Sequence, residues 1–352
     1  MAASTESTIE IQGKTLKLTN LGKVLYPHGR FTKAQVIDYY VRVAPVLLPH
    51  LSGRPLTMKR YPGGADQGFF YEKNCPAHRP EWVQTARVWS EGNQRWMDYC
   101  MIQDLPTLVW AANLASLELH TSLSLARDMK QPSTIVFDLD PGAPANIVEC
   151  CQVGLWLRDS VARFKLEAFP KTSGSKGLQV YIPLNSPAAY EKSKSFAHEL
   201  ARLLEGIHPE LVVSDMKKSA RKGKVLIDWS QNDQHKTTVS VYSLRAKEVP
   251  TVSTPVSWEE VAECWQKKNT EMLVFTADQV LARVEKFGDL FEPVLRLTQH
   301  LPPVEELAGG QLPELGKPDS AECPKVNSRT RKPVSQPTRA KARMSSKRRW
   351  GA

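Results

Sequence analysis

The stretch STIVFDLDPG, residues 133–142, is a β-branched and aromatic run that ends in two carboxylates and a Pro-Gly breaker. Such a run reads as a strand. Side chains alternate across a strand, so Asp138 and Asp140 share one face while Phe137 and Leu139 point to the other. Like charges that close are costly unless a proton or cation sits between them, and Mg²⁺ or Mn²⁺ with oxygen ligands is the usual solution. On this motif alone, a solvent-facing acidic pair at a strand end fits as well.

Further along, KVLIDWSQN (224–232) places Asp228 at the end of a second apolar run. An acid in that position needs a partner. If the two strands are neighbours, three carboxylates converge, the minimum for holding two metals about 3.5 to 4 Å apart. Taken alone, Asp228 could equally pair with a nearby lysine.

Between these runs lies FPKTSGSKGLQVYIPL (169–184), in which a Ser, Gly and Lys turn separates two apolar stretches. Glycines let successive backbone N–H groups face one concavity, Ser173 and Ser175 add hydroxyls, and Lys176 adds charge, a combination suited to a phosphate. The GxxxxGK[ST] spacing of a Walker loop is absent, and a plain hairpin turn is the alternative. Downstream, HKTTVSVYSLRAK (235–247) supplies Lys236 and Arg245 on and just after another strand, so a second cationic side can face the same anion.

The composition is that of an ordinary globular chain, 352 residues at 41% hydrophobic and 24% charged, which excludes disorder of the whole. No apolar run reaches the roughly 18 residues of a membrane helix, and MAASTESTIE lacks the features of a signal peptide. A cytoplasmic protein without membrane contact is the expectation. The six cysteines form no CxxC pair, so neither a disulfide framework nor a zinc knuckle is indicated, and Cys75 with His78 is only half a zinc motif. Residues 325–352 hold ten of the 47 Lys and Arg and no acid, so the 37 basic residues before them match the 37 acidic ones. The tail carries the whole net charge of +10. A segment of that composition is expected to be disordered and to seek a polyanion, with a solubilising role as the alternative.

A shift to Pro, Gly and acid near residue 300 divides the chain into a catalytic domain, 1–300, and a linker with a basic tail, 301–352. Helical spacing predicts a helix from Thr32 to Ala44 that Pro45 stops or kinks. Further helices are expected over 106–128, 147–164, 187–205 and 277–297, and strands over 56–60, 133–139, 178–183, 224–229 and 238–243. The mixture, without a fixed period, is α+β.

In their order, DLDP, SGSKGL, KVLIDWSQN and KTTVSVYSLR, preceded by LTNLGKVLYP and GFFYEK, resemble the polymerase domain of bacterial ligase D. That family belongs to the archaeo-eukaryotic primase superfamily and serves non-homologous end joining. The resemblance runs from about Leu18 to Asp289. It implies the primase catalytic core, two β-modules with flanking helices around a central cleft. It also implies Asp138, Asp140 and Asp228 as catalytic ligands of two Mn²⁺ or Mg²⁺ ions. By the same resemblance Ser173, Lys176 and Arg245 grip an incoming triphosphate, and His120, Gln179 and Gln231 lie near the nucleotide. Many relatives carry a histidine where this chain has Gln179, so triphosphate binding is expected to be weaker or to respond differently to pH. Asn20, Lys23 and Lys33 match a pocket for a 5′-phosphate, Phe69 and Phe70 an aromatic pair used against bases, and Lys218 and Arg221 a basic loop near DNA ends. His120 and the Phe pair also read as ordinary core residues.

The implied activity is template-dependent addition of NTPs or dNTPs at gaps and broken ends. Because a ligase and a phosphoesterase do not fit in this length, the resemblance implies a stand-alone polymerase, with Ku and a separate DNA ligase as partners and the nucleoid as its place of action. Two other readings compete. DLD resembles the start of a haloacid dehalogenase phosphatase, but Pro141 and Gly142 stand where that pattern wants Val or Thr. A non-catalytic end-binding or synapsis module is the other.

Overall fold

The computed structural model describes residues 6–305 and Leu307. Two β-sheets organise it. The first sheet runs in the order Thr237–Val239, Ser116–Ser122, Leu56–Arg60, Arg95–Cys100, Thr85–Ser90, with Phe70–Glu72 also paired to Leu56–Arg60. The second runs Phe169–Thr172, Leu178–Pro183, Thr134–Pro141, Val225–Asp228, Val212–Val213, antiparallel except for its last pair. Each has its own core. Helices Lys33–Leu51 and Leu105–Asn113 pack on the first, while Ile147–Ala162, Tyr190–Ile207 and Trp258–Lys267 cover the second. The architecture is the expected α+β arrangement of two β-modules with flanking helices.

The alternation read in STIVFDLDPG explains how the sheets meet. Ile135, Phe137 and Leu139 point into the helix-covered core of the second sheet, whereas Val136 joins the core of the first. The face that carries Val136, Asp138 and Asp140 therefore turns toward the other module.

Several expectations need correction. The helix that begins after Thr32 is Lys33–Leu51 and continues through Pro45 and Pro49. Both prolines lie on its exposed side, where carbonyls that lose their N–H partners are solvated. The expected helix over 106–128 ends at Asn113, and Ser116–Ser122 is a strand. Ala115 takes a positive φ of 56° at the break, and Leu117 and Leu119 enter the core while Glu118 and His120 face the other way. The expected helix over 277–297 is two pieces, Ala277–Phe287 and Pro293–Arg296, with Gly288 between them. The strand over 238–243 is only Thr237–Val239, since the chain turns at Tyr242.

Cys75 and Cys100 form a disulfide with Cα atoms 4.9 Å apart, where the cysteine spacing indicated no bridge. The 25-residue separation has no sequence signature, and the Cys75 backbone N–H bonds the Asp98 carbonyl, which draws the segment beside the strand. Cys75 is thereby unavailable as a zinc ligand. Leu301, Val304 and Leu307 pack against the core of the second sheet, and the rest of the expected linker and basic tail lies outside the described residues. No helix among the described residues is long and apolar enough to cross a membrane.

Candidate active site

A cleft of about 590 Å³ is lined by strands of both sheets. It collects Asp138, Asp140, Asp228, His120, Ser173, Lys176, Gln179, Gln231, Arg221 and Arg245, ten of the residues singled out in the sequence. Their convergence follows from strand register. Asp138 stands opposite Asp228 on one side and opposite Gln179 on the other, while Asp140 lies two residues further along the same strand.

The carboxylates are not equivalent. Burial pushes Asp138 up to about 6, against the hydrogen bond from Gln179 and with the Asp228 charge adding to the rise. Asp228 accepts from the Ser230 backbone N–H at 2.9 Å and from Gln231 Nε2 at 2.7 Å, and Asp140 lies 3.5 Å from the Arg221 guanidinium. These contacts turn the acids toward protein donors. Among the described residues no three His, Cys, Asp or Glu side chains stand close enough together to hold a metal ion. The donor chemistry nevertheless fits a hard divalent cation: three carboxylates on one sheet face, one of them raised by burial and, further, by the Asp228 charge opposite it.

Across the cleft the Ser173–Gly177 turn lies against the end of the carboxylate strand. Ser173 Oγ accepts from the backbone N–H groups of Ser175 (3.2 Å) and Gly177 (3.1 Å), which leaves its own hydroxyl hydrogen free to donate. A Cβ at Gly177 would sit 2.1 Å from the Leu139 carbonyl oxygen, so only glycine permits this approach. Gly142 plays the same part for the basic loop, because a Cβ there would meet the Arg221 carbonyl oxygen at 1.9 Å. Lys176 is exposed at the turn. Arg245 donates to the Ser173 carbonyl, and its Nε lies 3.2 Å from Glu118, so it ties the turn to the opposite sheet.

Glu118 is the residue that sequence reasoning missed. It is only 2% exposed and meets Arg245, Lys59 at 3.3 Å, His120 at 3.0 Å and the Tyr61 hydroxyl at 2.9 Å. Burial alone would raise its carboxyl, but the hydrogen bond with His120 and the charges of Arg245, His120 and Lys59 hold it well below the usual range. His120 is itself lowered, by burial first, against the hydrogen bond and charge of Glu118, which raise it. Lys59, also missed, lies 4.1 Å from the Phe69 ring centre and near those of Tyr61 and Tyr71.

Ser175 and Lys236 also line the cleft, whereas Phe69, Phe70, Asn20, Lys23, Lys33 and Lys218 fall outside its lining. Phe69 and Phe70 are 50% and 44% exposed, which excludes the core alternative. Asn20, Lys23 and Lys33 form a separate cluster: the Lys23 backbone N–H bonds the Asn20 carbonyl and that of Lys33 bonds the Lys23 carbonyl. Lys23 donates to the Pro62 carbonyl and Lys33 to the Thr19 carbonyl at 2.7 Å. Burial, followed by the charges of Lys23 and Arg60, lowers Lys33 to about 8. Among the described residues neither lysine has a carboxylate partner. Lys218 is exposed on the loop that carries Arg221.

A sequence model described as the LigD primase-polymerase domain matches residues 32–291. The chain belongs to that family. It is 40% identical over 281 residues to a multifunctional non-homologous end joining protein LigD of Mycolicibacterium smegmatis, across 79% of this chain and 36% of that protein. The bifunctional LigD of Bacillus subtilis is 33% identical over 288 residues, across 82% and 45%. The chain thus spans less than half the length of these curated relatives. Among solved structures, the polymerase domain of Mycobacterium tuberculosis ligase D in complex with DNA aligns with a TM-score of 0.74 at 37% identity, covering 81% of this chain and 99% of that one.

Proposed function

We propose that this LigD primase-polymerase domain is a template-dependent nucleotidyltransferase that adds NTPs or dNTPs at gaps and broken DNA ends in non-homologous end joining. The observation that carries the reading is the cleft itself. Asp138 faces Asp228 across adjacent strands, and Ser173, Lys176 and Arg245 line the same cleft beside them. Nucleotidyl transfer needs this pairing of an acidic side and an anion-gripping side.

In this reading Lys176 and Arg245 neutralise the triphosphate and the Ser173 hydroxyl donates to it, so the α-phosphate is held toward the carboxylates. Asp138, Asp140 and Asp228 are the residues that would hold Mn²⁺ or Mg²⁺, whose Lewis acidity favours ionisation of a primer 3′-hydroxyl and stabilises departing pyrophosphate. Arg221 and Gln231, which now engage Asp140 and Asp228, are released when the acids turn to that task. His120, which lines the cleft, offers a ring nitrogen for a hydrogen bond at the nucleotide. Phe69 and Phe70 present exposed faces to bases, and stacking accepts any base, which suits arbitrary broken ends. Asn20, Lys23 and Lys33 receive the 5′-phosphate of the downstream strand, and Lys218 extends the basic loop toward the DNA end.

Ku and a separate DNA ligase are the proposed partners, and the cytoplasmic nucleoid is the proposed place of action. The test is extension of a gapped duplex bearing a 5′-phosphate, with NTPs or dNTPs and Mn²⁺ or Mg²⁺. Pyrophosphate release coupled to primer extension supports the reading. Binding of the gap without extension under every condition replaces it with a non-catalytic end-binding module, and phosphate release from a monoester replaces it with a phosphatase.

A further inference from the structure

Lys171 is a fully buried lysine with no carboxylate in contact, on the strand Phe169–Thr172. Strand register aligns four side chains in one row across the second sheet: Lys171 opposite Gln179, Gln179 opposite Asp138, Asp138 opposite Asp228. The Lys171 amine, which burial lowers to about 7, donates to Gln179 Oε1 at 2.5 Å, to Ser253 Oγ at 2.7 Å and to the Val239 carbonyl at 3.1 Å. All three acceptors are neutral.

When protonated the amine has donors only, so the atom that Gln179 then turns toward it is the amide oxygen. The amide NH₂ then faces the other way, toward its cross-strand neighbour Asp138, whose charged form it favours. A carboxamide without that constraint has two orientations, and the flipped one sets its oxygen against the Asp138 carboxylate. Gln179 is 3% exposed yet lines the cleft, so water contributes little to the choice.

We propose that Lys171 is a positioning residue: in its protonated form it locks the Gln179 carboxamide with its oxygen inward, so that the NH₂ is presented to Asp138 and the metal-holding face of the cleft. The inference rests on the proposed role of Asp138 in holding a divalent ion, and only its first step, the locked amide, is independent of that role. The row works as a relay. Burial of a cation at one end dictates the polarity of the amide in the middle and so the hydrogen bonding of the carboxylate at the far end.

The two layers are tested separately. In metal-free protein labelled with ¹⁵N-glutamine, the Gln179 side-chain signal is the one lost in Gln179→Leu. Lys171→Met is expected to accelerate water exchange of that NH₂ pair at least tenfold, and an unchanged signal overturns the proposal whatever the metal does. Mn²⁺ alone is then titrated into each protein, free ion being followed by electron paramagnetic resonance. Loss of an outer-shell partner weakens metal binding by about 10- to 100-fold, so Lys171→Met and Gln179→Leu are each expected to lose that much. Lys171→Met/Gln179→Leu is expected to match Gln179→Leu, because the lysine has nothing left to position. A further tenfold loss in the double variant overturns the relay. That arm also serves if Lys171→Met alone fails to fold, since the double variant replaces both polar partners by apolar side chains of similar size. Wild-type protein whose Mn²⁺ binding is unaffected by Asp138→Asn would instead refute the metal role of the cleft and leave the locked amide to stand on its exchange rate.

Discussion

Asp138 and Asp228 stand directly opposite each other on adjacent antiparallel strands, one cross-strand pair of like charge in a sheet whose other face is sealed by apolar side chains. Like charges in that position are destabilising. Asp138 is raised to about 6, by burial first and, against the Gln179 contribution, by the Asp228 charge. In the folded state Asp138 holds its proton up to about pH 6, whereas the unfolded carboxyl loses it near 4. The stability cost therefore grows as pH rises through that window and is complete above it. At pH 7.5 it amounts to on the order of 3 kcal/mol.

Asp138→Asn should accordingly melt a few degrees higher than wild type in metal-free buffer at pH 7.5, and the difference should shrink by pH 4.5. The same variant, Asp140→Asn and Asp228→Asn should each lose more than tenfold in primer extension while duplex binding stays within about twofold. Thermal melts and extension rates on one set of proteins check both. A tenth or more of wild-type extension in all three variants refutes the catalytic assignment.

Glu118 supports a second prediction, because it is the one buried anion that Lys59, His120 and Arg245 share. Glu118→Gln keeps the volume and removes the charge, leaving cations around a neutral amide. Breaking buried ion pairs costs about 3 to 5 kcal/mol, so the melting temperature should fall clearly. With Arg245 no longer held against the Ser173 turn, KM for NTP should rise about tenfold while kcat changes less. Steady-state kinetics on a primed template separates the two, and an unchanged KM would reduce Glu118 to a core residue.

Lys33 predicts how recognition of the 5′-phosphate depends on pH. Its lowered pKa of about 8 means that the free protein loses this charge well below the usual lysine range. Affinity for a phosphorylated gap should stay level up to about pH 8 and then weaken, by up to tenfold per pH unit. A duplex ending in a 5′-hydroxyl should show no such break, nor should Lys33→Ala. Fluorescence anisotropy across pH 6.5 to 9.5 reads the curve. A profile that is flat to pH 9.5 in wild type would place the phosphate elsewhere.

The parts of the site that were legible are those where one residue's chemistry contradicts its local context. An acid closing an apolar strand, as Asp138 and Asp228 do, signals itself, and the SGSKG turn does so by composition. Glu118 was hidden because LASLELH is apolar enough to read as a continuation of the helix that in fact ends at Asn113. Its importance comes from cross-strand neighbours, Lys59 directly opposite and Arg245 from a distant hairpin. Lys171 was hidden for a related reason. A lysine flanked by Pro and Thr looks solvated, and only the register of three strands reveals the row in which it is buried.

The strongly basic stretch 325–352 predicts a separable contribution to DNA affinity. The 37 basic and 37 acidic residues before it balance, so non-specific attraction to a polyanion must come mainly from its ten cations. Each cation that meets a phosphate releases a condensed counterion, and about five engaged on duplex would steepen the slope of log affinity against log salt by about 4 to 5. That corresponds to roughly two to three decades of affinity between 50 and 200 mM salt. Deleting 325–352 should flatten the slope by that amount and weaken binding chiefly at low salt. Turnover on saturating gapped DNA should be little changed, since the proposed catalytic and triphosphate-gripping residues all precede the stretch. Binding isotherms at four or more salt concentrations decide it, and an unchanged slope would assign these cations to solubility or to a protein partner.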